Sequence, residues 1–107
     1  MAKVIIPEYL EREIDRKFKG EAVDIFELMF SLRDFPKKGK LVGRVGNVAI
    51  KELKYKSFRF YFIVDAYRVK FFGVDELHDL LIKFLRMSDK KSQEKVIEEV
   101  RDFLRRV

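Results

Sequence analysis

Arginine, lysine and tyrosine are the residues whose types and spacing could do chemistry in this chain. Phe58 to Asp65 alternates with the period of a strand: Phe58, Phe60, Phe62 and Val64 share one face, and Arg59, Tyr61, Ile63 and Asp65 the other. The planar fork of Arg59 suits a two-point contact with phosphate. Tyr61, on the Arg59 face, is placed to stack on a base or perturb a proton, against the plainer reading of a half-buried sheet tyrosine. Upstream, Lys37, Lys38, Lys40 and Arg44 form a basic stretch that would neutralise phosphates and bind with a steep salt dependence. Its plainer reading is a solvated turn.

The charge distribution supports a polyanionic partner. The chain has 107 residues, with 24 Lys+Arg against 18 Asp+Glu, a net charge of +6. Residues 37–72 hold ten basic and two acidic side chains, a net of +8, so this third supplies the whole surplus. There is no cysteine, which excludes a thiol nucleophile, a zinc knuckle and a disulfide framework. His78 is the only histidine, so no metal site and no cofactor is expected, and the Asp75–Asp79 segment around it reads as a solvated hairpin loop. No apolar run reaches the ~18–20 residues that cross a bilayer, and the N-terminus lacks a signal-peptide pattern, so the expected location is cytoplasmic, with no membrane partner. One Asn, one Gln and no Thr beside 39% charged residues match the compositional habit of thermophile proteins.

The elements that must position these groups follow from the apolar spacing. Residues 2–6 read as a strand, with Pro7 in the first turn of a helix that carries Leu10, Ile14 and Phe18 on one side. Glu21 to Leu32 reads as a second helix, apolar on most sides and therefore sandwiched between the first helix and a sheet. Pro36 to Gly43 reads as loop. Four strands are expected next, at Val48–Tyr55, Phe58–Asp65, Tyr67–Gly73 and Asp79–Met87, in antiparallel succession. Ser92 is the expected N-cap of a last helix with Val96, Val100, Phe103, Leu104 and Val107 on one side. The expected fold is a single α+β domain over 1–107, in the order β-α-α-β-β-β-β-α. Phe58, Phe60, Phe62 and Phe71 should be buried with Leu10, Ile14, Phe26 and Val100.

Three stretches in order carry a resemblance: Phe35-Pro-Lys-Lys-Gly-Lys-Leu-Val-Gly43, then Ile50-Lys-Glu-Leu-Lys54 with Phe58-Arg-Phe-Tyr-Phe62, then Lys90-Lys-Ser-Gln93. Together they resemble the bend, the "ELR…YR" strands and the "KK" turn of the RelE/ParE toxin superfamily, nearest its HigB-like branch. The resemblance implies a twisted, mainly antiparallel sheet on an N-terminal helical hairpin with a C-terminal helix, the opposite sheet face being basic and partly concave. It implies a toxin of a toxin–antitoxin pair that inhibits translation by ribosome-dependent mRNA cleavage, without metal, with a cognate antitoxin, the ribosome and mRNA as partners. ParE-like members bind a topoisomerase instead, and a non-catalytic RNA- or ribosome-binding module of the same fold is a further alternative. In such cleavage the 2′-OH attacks the adjacent phosphate, which requires a base, a cation for the phosphorane and an acid for the leaving oxygen. By resemblance, Arg59 matches the strand arginine, and Lys54 stands in the "ELR" position with Glu52 two residues before it. Lys90 and Lys91 occupy the phosphate-contacting turn, a role Arg86 could equally fill. The last helix lacks the family's tyrosine, its matching region being Lys95-Val-Ile-Glu98.

Overall fold

Pro7 sits in extended backbone ahead of α1 (Glu8–Lys17) in the computed structural model, which describes residues 1–107. That helix has acidic Glu8 and Glu11 in its first turn and basic Arg16 and Lys17 in its last, matching its dipole. A short strand, β1 (Lys3–Ile5), precedes it, and α2 (Ala22–Phe30) completes a helical hairpin. Next come β2 (Lys40–Val45), β3 (Val48–Tyr55), β4 (Phe58–Asp65), α3 (Ala66–Phe71), β5 (Leu81–Asp89) and α4 (Gln93–Arg105), with single 3₁₀ turns at Ser31–Arg33 and Val74–Glu76. The class is α+β: four helices and one five-stranded sheet in the order β1-β5-β4-β3-β2. The sheet is mixed, because β1 runs parallel to β5 while the other pairs are antiparallel.

Both faces of the sheet are covered. Leu10, Ile14, Ile25 and Met29 of the hairpin bury one face in a cluster with Leu53, Phe60, Phe62, Ile82 and Phe84. On the other face Val96, Ile97 and Val100 of α4 close over Tyr61, Ile50 and Leu85. The opposite face, expected to be basic and partly concave, is therefore partly roofed by α4, with Lys54 and Arg86 left exposed. No helix is long and apolar enough to cross a membrane.

Two expected elements are corrected. Tyr67–Gly73 is not a strand: Ala66–Phe71 is helical, because the Asp65 carboxylate accepts the Arg68 backbone N–H at 3.1 Å and caps the turn. Tyr67 and Phe71 then meet at i, i+4 with ring centroids 4.9 Å apart, and Phe71 is 62% exposed instead of buried. Their β-propensity gave a strand signal that one cap outweighs. Pro36–Gly43 is loop only to Gly39, after which β2 pairs with β3 across a bulge at Leu41/Gly43. This edge strand shows only a weak apolar alternation, which its lysine, arginine and glycine obscure. The last strand runs Leu81–Asp89, two residues later than its apolar pattern implied. Ser92 offers no side-chain cap; its N–H and hydroxyl both donate to Asp89 Oδ1 at 2.8 Å. Phe103 and Val107 of the apolar stripe are exposed, and Phe26 and Phe58 are half-buried, packing at the edge of the main core.

Gly39 turns the chain into β2 with φ +105°, a region closed to side chains, and a Cβ there would lie 2.8 Å from Phe62 Cζ and 3.2 Å from the Glu52 carbonyl oxygen. Gly39→Ala is expected to destabilise by about 1–3 kcal/mol in urea unfolding. Gly20→Ala, where a Cβ meets nothing within 4 Å, should stay within about 1 kcal/mol of wild type.

Candidate functional site

Antiparallel register brings side chains from separate strands onto one face. Lys54 stands opposite Arg59, and Arg59 opposite Ser88. One rung away on the same face, Lys40 stands opposite Glu52, Glu52 opposite Tyr61, and Tyr61 opposite Arg86. Direct cross-strand neighbours have Cβ atoms ~4.5–5.5 Å apart. Two rungs therefore assemble four of the sequence-identified groups, Lys54, Arg59, Tyr61 and Arg86, with Lys40 at the margin. Ser88 leads directly into Asp89, Lys90 and Lys91, so the two exposed turn lysines flank the first rung.

Beneath α4 these groups are not equally available. Lys54 is exposed and makes no ion pair. Arg59 is only 8% exposed; its Nη1 donates to the Ser57 carbonyl at 3.0 Å, while its Nε is buried without a partner. Glu52 is also 8% exposed, with Oε2 buried and unpartnered. Glu52 thus does not pair with Lys54 across the pleat. Tyr61 is fully buried, its hydroxyl 2.8 Å from Ser88 Oγ. Burial pushes the Tyr61 phenol above its ordinary value, only partly offset by the Ser88 hydrogen bond, so it stays protonated at neutral pH. Arg86 donates to Glu99 of α4 at 2.6 Å. A groove of about 570 Å³ opens beyond that ion pair, between Tyr9 of α1 and Phe103 of α4, over Leu85 and Val100.

The remaining basic candidates lie elsewhere. Arg44 pairs in register with Ala49, whose side chain is in the core under the hairpin, and its Nε donates to the Gly46 carbonyl in the β2–β3 turn. Lys37 and Lys38 are exposed on the loop before β2 and line a shallow groove with Phe35 and Val74. That loop is fixed from below by Lys51, whose buried ammonium donates to the Lys37 carbonyl at 2.9 Å. Burial holds the Lys51 ammonium below the usual lysine value.

Lys51, Ser88 and Glu99 have no functional assignment from sequence. Lys51 carries a legible signal: it lies between Ala49 and Leu53 on the core-facing side of its strand, where a lysine needs a buried acceptor. Ser88 follows Arg86 at the strand period of two, and Glu99 is distant in sequence from Arg86, so only the fold reveals that pair. No family model, curated protein or solved structure matches the chain.

Two outcomes follow from these environments. Tyr61→Phe, which strands the Ser88 hydroxyl in a buried site, is expected to cost about 1–3 kcal/mol in denaturant unfolding, and Ser88→Ala added to it should recover part of that loss. For Lys51 the unfolded chain binds the extra proton between the depressed folded value and about 10.4, so stability rises with pH across that window. Unfolding free energies of wild type and Lys51→Met, compared from neutral pH upward, should show wild type gaining on the variant as pH approaches 10.4.

Proposed function

We propose that this chain is a RelE-like, HigB-branch toxin that inhibits translation by engaging and cutting ribosome-bound mRNA, with an antitoxin as its natural partner. The observation that carries the reading is the register: Lys54, Arg59 and Arg86, separated by up to 32 residues, converge on one sheet face with Lys90 and Lys91 at its end. A β-α-α-β-β-β order, a closing strand and a C-terminal helix agree with that fold family, the short α3 being an insertion between the last two strands. The net of +8 across residues 37–72 supplies the attraction for a polyanion.

The chemistry assigns roles by environment. Lys54, exposed, and Arg59, buried with its Nε–H uncommitted, are the cations for the charge that builds on the phosphorane, Arg59 once bound RNA uncovers it. Tyr61 is not the base, since its phenol is buried, protonated and already hydrogen-bonded. Glu52, one rung from Arg59, is the carboxylate on the face; its unbonded oxygen is buried, so it would take the 2′-OH proton once bound RNA uncovers it, and the exposed Lys54 ammonium would protonate the leaving 5′ oxygen. Lys90 and Lys91 would hold flanking phosphates. No cofactor enters.

Burial of Tyr61 and the Arg86–Glu99 pair favour a second reading, an RNA- or ribosome-binding module of the same fold that does not cut. Controlled expression with 5′-end mapping of mRNA separates the two. The toxin reading expects growth arrest and ribosome-stimulated cuts, reduced about 100-fold or more by Arg59→Ala and several-fold by Lys54→Ala, with circular dichroism verifying that both variants fold. Intact mRNA after incubation of purified protein with programmed ribosomes overturns cleavage. Arrest with a DNA-damage response and no mRNA loss points instead to topoisomerase inhibition.

A further inference from the structure

Four large apolar side chains that a small core would normally take inward stand exposed on α3, the turn after it and the loop before β2: Phe35 at 63%, Tyr67 at 53%, Phe71 at 62% and Val74 at 52%. Tyr67 and Phe71 form a tilted pair with centroids 4.9 Å apart on α3, and Lys70 Nζ lies 5.3 Å from the Phe71 ring centroid. Three residues on, within at most about 11 Å of chain, Val74 lines the shallow groove that also holds Phe35, Lys37 and Lys38. Asp34 is the one carboxylate lining that groove, against two lysines, and Asp75 adjoins Val74. Arg68 on the same helix is committed to Asp79 and adds no free charge.

We propose that this strip, Tyr67, Phe71 and Phe35 with Lys70, Lys37 and Lys38, is a stacking platform for single-stranded RNA, apart from the α4-covered sheet face. Three of the four exposed apolar groups are aromatic, the type that stacks on any base and tolerates any sequence. The lysines would supply the phosphate contacts, and Val74, three residues after Phe71, lines the groove that the basic loop forms. Protein-docking patches are also rich in aromatic groups but poor in lysine, so Lys37, Lys38 and Lys70 beside these rings favour the RNA occupant. The strip rests on the RNA reading above and deepens it: the RNA would be unpaired, held by stacking beside the loop that Lys51 pins.

The test is fluorescence anisotropy of labelled oligouridylate with purified full-length protein, a duplex RNA serving as comparison. Tyr67→Ala/Phe71→Ala should weaken single-strand binding at least about tenfold, with the slope of log affinity against log salt unchanged. Lys37→Ala/Lys38→Ala should lower that slope by about 1–2, and Phe35→Ala alone should give a smaller loss than the double aromatic variant. All these positions are exposed, so the variants keep the wild-type circular dichroism. Unchanged single-strand affinity in the aromatic double variant overturns the proposal. So does a wild type whose concentration-dependent self-association, rather than its RNA binding, is what the variant abolishes. A wild type that cuts ribosome-bound mRNA but binds no free single strand sinks the platform and leaves the toxin reading standing. Tight single-strand binding through the strip with ribosomal mRNA left intact does the reverse.

Discussion

A sheet covered on both faces is the constraint from which the rest follows. The central strands β3, β4 and β5 are covered over most of their length, so charged residues within the covered stretch of β3 and β4 are drawn inward while Lys54, Lys83 and Arg86 stay exposed. That is why Lys51, Glu52 and Arg59 are buried in a chain with abundant charged surface. Each meets burial differently. Lys51 finds a backbone carbonyl and gives up basicity, Arg59 finds one carbonyl and leaves Nε idle, and Glu52 leaves one oxygen idle. Isolated charges in apolar surroundings are costly enough that proteins rarely keep them without a use. Here two opposite charges, one rung apart and each with unspent hydrogen-bonding capacity, are held inside the fold and not on its surface.

The two layers are unequal. The hairpin side packs the larger cluster, with fully buried Leu10, Ile14, Ile25 and Met29 against Phe60, Phe62 and Phe84. The α4 side rests on Val96, Ile97 and Val100, and its outer residues Phe103 and Val107 are exposed. Apolar burial contributes roughly 25 cal/mol per Å², so the layer with the smaller buried area and the unpartnered polar atoms beneath it is held less firmly. The sheet face that holds Arg59, Tyr61 and Glu52 is thus under the less firmly packed of its two covers.

Much of the fold was legible because periodicity reports burial directly. The α1 stripe at Leu10, Ile14 and Phe18 and the alternation of β4 each put their residues on the faces observed. The two failures have specific physical causes. Aromatic and β-branched residues at Tyr67, Val69 and Phe71 read as a strand, yet one side-chain cap from Asp65 tips a six-residue segment into a helix. The β2 edge mixes lysine, arginine and glycine with its few apolar residues, which leaves little side-chain pattern to read. For the site, strand alternation placed Arg59 and Tyr61 together. It could not show that α4 lies over Tyr61, because the coverage depends on a helix more than thirty residues downstream.

The misread segment also explains why the basic surplus looked more concentrated than it is. Had Tyr67–Gly73 been a strand, Arg68 and Lys70 would have joined Arg59 on one sheet face. As a helix it sends Arg68 to Asp79 and leaves Lys70 beside Phe71 at the molecule's edge. Arg44 likewise turns to the β2–β3 hairpin, and Lys51 goes inward. The net of +8 between residues 37 and 72 is thus divided between separate sites. Lys54, Arg59 and Lys40 belong to the covered sheet face, Lys37 and Lys38 to the loop groove, and Lys70 to the aromatic helix. Charge that is divided this way attracts a chain-like polyanion at several points more readily than it fixes one compact anion, because each phosphate neutralised adds its own counterion release. The distribution itself, more than its sum, is the argument for an extended nucleic acid.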